Sequence, residues 1–342
     1  MNPFEQRPLG RTKVMLPRLG LGGAPFGNLF VPVSDAEVEA TMAAAWDLGI
    51  RYFDTSPWYG RGLSERRMGS FLLRQPRHEL RLSTKVGRVF RAPANASAFA
   101  ASSRPWPAGL QFEHFHDYSY AGVMRAYEDS LQRLGMNRID MVLIHDLDLA
   151  NLGSQALVDA HFAQLVAGGM RALEDLRAAG LVRAIGAGVN RLGTIPRFLD
   201  ALDLDFFLVA LPYTLAEQPV LDLEFPLCER RGVGIVIGGV FASGILATGT
   251  APGAKYNYRD PSSDEIERIA GIEAACKRYG VSLAAAALQF TLHHPLVASV
   301  IPGALSPAQV AQNVAAMKHP VPAELWSTLK QEGLLREDAP TD

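Results

Sequence analysis

The sequence predicts an α/β fold, a closed (β/α)8 TIM barrel, with an N-terminal β-hairpin ahead of it and a long lid loop after the third strand. Three observations predict it. Short apolar strand candidates alternate with amphipathic helical stretches along the chain. Its 342 residues, 48% of them hydrophobic and 20% charged, suffice for one large core, so residues 1–342 are read as a single domain. The polar side chains with the clearest chemistry fall at the carboxyl ends of strand candidates, where parallel barrels carry their reactive loops.

The elements follow in order. Leu9-Gly10-Arg11-Thr12 lies between short apolar pieces and reads as the opening hairpin. Leu19 to Gly22 is the first inner strand, and Ser34-Asp35-Ala36-Glu37 opens the first helix as a capping box. Further strands are expected at Arg51 to Phe53, Arg81 to Lys85, Ile139 to His145, Ala184 to Gly188, Phe206 to Leu211, Gly234 to Ile237 and Val297 to Ile301. Helices are expected near Ser64 to Leu73, Tyr120 to Leu134, His161 to Ala179, Thr194 to Ala201, Pro219 to Arg231, Asp264 to Tyr279 and Pro307 to Met317.

Composition narrows the function classes. A net charge of -2 gives no electrostatic pull towards nucleic acid or a membrane surface, so neither is expected as a partner. Two cysteines, Cys228 and Cys276, make no disulfide framework, and a reducing, cytoplasmic setting is expected. The start of the chain lacks the basic-then-apolar order of a signal peptide. The uncharged run from Val233 to Thr250 is broken by glycines and reads as a buried strand plus a close-packed loop rather than a membrane span. No His-x-x-x-His pairing indicates a metal, and no Walker-type or strand-led Gly-x-Gly-x-x-Gly motif indicates a kinase or a Rossmann dehydrogenase.

Phe53-Asp54-Thr55-Ser56-Pro57-Trp58-Tyr59-Gly60 sets an acid and a phenol just past an apolar strand, Ser83-Thr84-Lys85 ends a second strand with a lysine, and Leu143-Ile144-His145 ends a third with a histidine. Alone, each has an ordinary structural reading as a turn residue, a packed ring or a satisfied polar group. Together, Asp54, Tyr59, Lys85 and His145 suit proton transfer beside a reacting carbonyl or hydroxyl. A tyrosine titrates near 10, a lysine ammonium beside it favours the phenolate, an aspartate fixes that lysine, and a histidine orients the substrate oxygen.

With Ile301-Pro302-Gly303-Ala304, these motifs resemble the aldo-keto reductase superfamily over nearly the whole chain. Asp117-Tyr118-Ser119-Tyr120, Tyr127-Glu128-Asp129-Ser130-Leu131 and His145-Asp146-Leu147-Asp148 are most similar to the branch that holds D-threo-aldose 1-dehydrogenase, L-fucose dehydrogenase and pyridoxal 4-dehydrogenase. The resemblance implies a catalytic tetrad of Asp54, Tyr59, Lys85 and His145 around a nicotinamide cofactor.

It also implies that the helix start at Ser306-Pro307 binds the adenosine phosphate end through its free backbone N–H groups. Members that prefer NADPH place a cation near the positions of Gly303 and Gln309, and neither carries charge here. Each lost charge-assisted contact costs about 1.5–3 kcal/mol, so NAD is expected, with NADP as the alternative. At the nicotinamide end, Asn190 is the expected carboxamide contact and Tyr213 and Phe241 are the candidate stacking rings, where the family has a Ser-Asn pair, a Gln and an aromatic. The full expected cofactor set is Gly23, Asn190, Tyr213, Phe241, Gly244, Gly303, Ser306, Gln309 and Asn313.

Residues 87–118 make a long connection with prolines at 93, 105 and 107 and several aromatics, and read as an irregular substrate lid. Trp58, Phe90 and Trp106 are the expected substrate contacts. The resulting expectation is NAD(P)-dependent oxidation of an aldose at C1 to its lactone. Oxidation of pyridoxal, general aldehyde or ketone reduction, a redox-sensing nicotinamide-binding subunit, and a Schiff-base aldolase acting through Lys85 are the alternatives.

Overall fold

The computed structural model describes residues 1–101, 105, 106 and 108–341; Pro107 of the expected lid lies outside the described residues. Among them, eight parallel strands follow one another in chain order: β1 (Leu21–Gly22), β2 (Tyr52–Asp54), β3 (Arg81–Val86), β4 (Met141–His145), β5 (Ala184–Val189), β6 (Phe206–Ala210), β7 (Gly234–Gly238) and β8 (Val297–Val300). Parallel bridges Leu19↔Val300 and Gly22↔Gly303 join the first strand to the last. Gly20 N–H donates to Val300 O at 2.9 Å and Gly22 N–H to Pro302 O at 3.0 Å, which closes the sheet into a (β/α)8 barrel as predicted.

The two-residue period of each strand sorts the core. Tyr52, Met141, Leu143, Phe206, Leu208 and Val236 point inward and are buried together. Phe53, Leu82, Val142, Ile144, Phe207, Val209 and Ile235 point outward, into the larger core shared with the helices. On β2, β3 and β4, the next inward positions towards the carboxyl end are Asp54, Lys85 and His145, so barrel geometry delivers three reactive side chains to one mouth.

The opposite end is plugged. Strands Gln6–Pro8 and Met15–Pro17 pair antiparallel, and Leu9, Val14 and Leu16 are buried in the inner core. The plug is the predicted hairpin. The capping box of helix Asp35–Asp47 is also present, with Ser34 Oγ accepting from Glu37 N–H at 3.2 Å.

Four expectations need correction. The helix expected at His161 to Ala179 starts earlier, at Gln155 behind the Ser154 cap, and carries a π turn at Leu165–Gly169 before Met170–Ala178. The stretch from Pro219 splits into a short turn, Pro219–Leu221, and helix Glu224–Arg231. Helices Leu283–Thr291 and Ala323–Gln331 were not foreseen; the first is buried on every face, so no amphipathic period announces it. Finally, the lid is not irregular throughout: Arg88–Arg91 pairs antiparallel with Glu113–His116, and a short helix spans Ala96–Ala101. Pro93 and Pro105 lie outside both lid strands, so they cost the ladder no donor.

The run from Val233 forms β7, a turn at Ala242–Gly244 and the short helix Ile245–Thr248, and no described helix is long and apolar enough to cross a membrane. Cys228 and Cys276 are buried free thiols. Because Leu16 fills the plugged end with no exposure, Leu16→Ala is expected to cost about 2–5 kcal/mol in urea unfolding. A loss below about 1 kcal/mol would mean that the hairpin is not part of the core.

Candidate active site

Asp54 and Lys85 stand side by side on β2 and β3, 2% and 1% exposed, with Nζ 2.8 Å from Asp54 Oδ2. Nζ also donates to Thr55 O at 2.8 Å, and Ser83 Oγ donates to Asp54 Oδ1 at 2.7 Å. This buried ion pair has hydrogen bonds on both partners, the condition under which such a pair is tolerated. Tyr59 follows β2 at the start of a tight turn, Tyr59–Gly62, and its ring centroid lies 4.7 Å from Lys85 Nζ. The His145 ring meets the Tyr59 ring edge-on, 6.1 Å between centroids. The structure thus gathers all four residues singled out in the sequence.

Their electrostatics differ from expectation in one respect. Tyr59 titrates well above its usual range, because burial and then the Asp54 and Asp146 carboxylates oppose the phenolate, with Arg88 acting the other way. Lys85 was expected to make this phenol acidic, but its charge is answered by Asp54. Tyr59 rests as a neutral phenol. His145 titrates well below its usual range, through burial first and then the cations Arg88 and Lys85. It rests as a neutral imidazole.

Arg88 is the main residue that sequence reasoning missed. Gly87, at φ +107, turns the chain from β3 into the lid sheet, and a Cβ there would stand 2.2 Å from the Tyr118 ring. The next residue, Arg88, points back into the mouth, 4% exposed. Its Nη1 lies 3.1 Å from His145 Nδ1 and 3.1 Å from Asp146 Oδ2, and its Nη2 donates to Asn151 Oδ1 at 3.1 Å. Asn190 Nδ2 donates to the other Asp146 oxygen at 2.9 Å. The adjacent Lys85-Val86-Gly87-Arg88 sequence was the available signal, but its meaning depends on a lid strand pairing Arg88 with His116.

Rings line one side of the mouth. Trp58 lies beneath the Arg88 guanidinium, 4.8 Å from its ring centroid, and packs on His114 at 4.5 Å. Trp106, 2% exposed, sits 6.1 Å from Trp58 and 5.9 Å from Tyr59, and its indole N–H has no acceptor among the described residues. Phe90 does not join them: it is buried with the Arg133 guanidinium 5.8 Å from its ring. Phe30 and Tyr258, both exposed and both at positive φ, meet at 6.2 Å between the loops after β1 and β7.

The residues of the expected cofactor set fall into two groups. Asn190 reaches the tetrad through Asp146. Asn313 is 8% exposed, and no described residue hydrogen-bonds its amide. Gly244, at φ +112, faces open space, and Phe241 is half-buried against the outer core. Ser306 caps helix Pro307–Lys318 by accepting from Gln309 N–H at 3.3 Å, while Gln309 Oε1 accepts from Leu305 N–H at 2.7 Å. A Cβ on Gly303 would lie 2.7 Å from Pro25 Cγ, so packing keeps that position free of a side chain.

Two of the set are misplaced for ligand contact. Tyr213 is fully buried among Phe225, Phe290 and His294, because the chain leaves β6 through Leu211 at φ 82 and carries the ring into the outer layer. Gly23 gives its N–H to Asp54 O at 2.7 Å and its carbonyl to Ser64 Oγ, and the space beside it is filled by Met68.

Barrel, strand-end tetrad and sequence define an oxidoreductase of one class: residues 18–332 match the Aldo/keto reductase family, and the chain belongs to it. It is 42% identical to a pyridoxal 4-dehydrogenase from Microbacterium luteolum, covering 97% of this chain and 98% of the relative. It is 38% identical to a D-threo-aldose 1-dehydrogenase from a Pseudomonas species, over 94% and 95% of the two chains. Among solved structures, the holo form of an aldo-keto reductase from Bacillus halodurans is similar at a TM-score of 0.72 and 25% identity, over 97% of each chain.

Removing one partner of the buried pair tests its role in the fold. Lys85→Met leaves the Asp54 carboxylate buried without its cation and is expected to cost about 3–5 kcal/mol in urea unfolding. The double variant Asp54→Asn/Lys85→Met is expected to recover part of that loss, and full additivity of the two single variants would show the pair to be uncoupled.

Proposed function

We propose that this enzyme oxidises a cyclic hemiacetal, an aldose at C1, to the lactone, with NAD as its nicotinamide cofactor. The observation that carries the reading is the Asp54–Lys85 pair beside a buried phenol and a neutral imidazole at one barrel mouth. Both relatives above are named for substrates that carry an aldehyde together with a hydroxyl able to close on it as a hemiacetal. Oxidation at the hemiacetal carbon then gives a lactone in either case.

When bound, the nicotinamide ring supplies the hydride acceptor. The chain's own residues manage the proton and the oxygen. The Tyr59 phenolic oxygen takes the substrate hydroxyl proton, Asp54 holds Lys85 beside that ring, and His145 donates a hydrogen bond to the same substrate oxygen as it becomes a carbonyl. Trp58, Trp106 and His114 offer ring edges and an unengaged indole N–H to a polyhydroxylated or pyridine ring.

A dinucleotide fits the residues present. The open space at Gly244 suits a pyrophosphate, the free amide of Asn313 suits an adenine edge, and Asn190 Oδ1 remains available to a carboxamide. Gln309 is uncharged, its Oε1 already accepting from Leu305 N–H, and Gly303 has no side chain and would meet Pro25 if it gained one, so neither position brings a cation to a 2′-phosphate. This supports NAD over NADP. A Schiff-base role for Lys85 is disfavoured, since its amine is buried and bonded to Asp54 and Thr55.

The experiment is NAD or NADP reduction, followed by absorbance, with L-fucose, D-arabinose, L-galactose and pyridoxal. Saturable NAD reduction by one aldose is expected; activity on pyridoxal alone would move the assignment to that substrate, and silence with all four would overturn hemiacetal oxidation. Tyr59→Phe is expected to lower kcat by roughly 10²–10⁴ while cofactor affinity, read by fluorescence quenching, stays within a few-fold.

The upward shift at Tyr59 also fixes a pH dependence. Oxidation needs the phenolate, so its kcat/KM is expected to rise about tenfold per pH unit from 7 towards 10 without a plateau. Reduction of an aldehyde needs the phenol and is expected to stay flat over that range. The second reading, carbonyl reduction at neutral pH, draws on the same resting phenol.

A further inference from the structure

We propose that Arg88 is a positioning residue for this reaction: by donating to His145 Nδ1 it holds the imidazole proton on Nε2, the nitrogen left to meet a substrate oxygen. The inference rests on the reading of His145 as the donor to that oxygen. Its geometry rests on the resting site alone.

An arginine has only donors to offer. With Nη1 3.1 Å from Nδ1, that ring nitrogen accepts, and Ser56 Oγ, also 3.1 Å from Nδ1, brings a second group able to donate to it. A neutral imidazole that accepts at Nδ1 carries its proton on Nε2. Nε2 itself lies 3.3 Å from Asp146 Oδ2 without the alignment of a hydrogen bond, and that oxygen is taken by Arg88.

The arginine therefore does two things at once. It sets the tautomer, and it pairs with the carboxylate oxygen that lies 3.3 Å from Nε2 and would otherwise stabilise an imidazolium. Its own aim is fixed on all sides, by Gly87 where the chain turns, by Asn151 on the short helix after β4, by the Trp58 face, and by the pairing of its strand with His116. Tyr118 OH donates to His145 O at 2.7 Å and pins the backbone of the same residue.

The charged and titratable groups around His145 include Asp54 at the end of β2 and Tyr59 beyond it, Lys85 and Arg88 on β3 and beyond it, Asp146 just past its own strand, and His114, His116 and Tyr118 from the lid side. Burial, Arg88, Lys85 and His116 all disfavour the imidazolium. Asp146 favours it. Loss of Arg88 removes one cation and frees the opposing carboxylate, so both changes raise the His145 pKa.

The test is ¹⁵N-edited NMR of histidine-labelled protein without substrate or cofactor, from pH 5 to 9, with His145→Gln used to assign the resonance. In the wild type, His145 is expected to stay neutral with its proton on Nε2 across the range. In Arg88→Met, it is expected to titrate within the range, and the kcat/KM for oxidation should gain an acid limb at the same pH, with kcat at pH 7 down at least about tenfold and KM little changed. Arg88→Lys, which keeps the charge without the planar fork, is expected to keep the ring neutral and restore part of kcat.

A wild-type Nδ1–H tautomer overturns the proposal without any variant. So does an unaltered tautomer and pKa in a folded Arg88→Met, or in Arg88→Gln should the methionine variant fail to fold. A silent substrate panel beside the expected NMR result would instead sink the aldose reading and leave the control of His145 by Arg88 standing.

Discussion

The ion pair between Asp54 and Lys85 is the constraint on which the mouth of the barrel depends. Two charges almost fully removed from water are unfavourable unless each is paired and hydrogen-bonded, and here Ser83 and Thr55 complete the set. The pair needs two neighbouring parallel strands in fixed register, Tyr52 opposite Arg81 and Asp54 opposite Ser83, so that both side chains rise from the same side of the sheet. That register in turn depends on the plugged, close-packed interior below. Stability and chemistry therefore meet in the same few residues.

Around the pair, burial does most of the electrostatic work. It keeps Tyr59 a phenol and His145 an imidazole, and neighbouring charges set by how much each departs from its free value. Lys85 is paired with Asp54 in the resting site, with its Nζ 4.7 Å from the Tyr59 ring centroid. The cation with the stronger hold on His145 is Arg88, which reaches the mouth from the lid side rather than from a barrel strand.

The barrel and its tetrad were legible because both follow simple periods: strands spaced by helices, and inward side chains at every second residue, with chemistry at the carboxyl ends. The hairpin plug and the Ser34 capping box were legible as local motifs. Other features depended on information that is not local. Tyr213 reads as a ring at a strand end, but a single backbone turn at Leu211 sends it to the outer core, and Gly23 spends its backbone groups inside the fold. Helix Leu283–Thr291 is buried nearly all round and offers no polar face to set off an apolar stripe. Arg88 and the lid strands could not be placed without knowing that Arg88–Arg91 pairs with Glu113–His116 across a long insertion rich in proline.

Taken together, these features make an aldo-keto reductase in which a strand beyond the barrel brings Arg88 to within 3.1 Å of His145 Nδ1 at the mouth. The central claim is that hydride leaves the hemiacetal carbon of an aldose for the nicotinamide. Incubating the enzyme with NAD and an active aldose deuterated at C1, then weighing the reduced cofactor by mass spectrometry, measures this directly. The expected result is one deuterium carried into the cofactor for each lactone formed. Unlabelled reduced cofactor, with the deuterium retained in the sugar product, would contradict it.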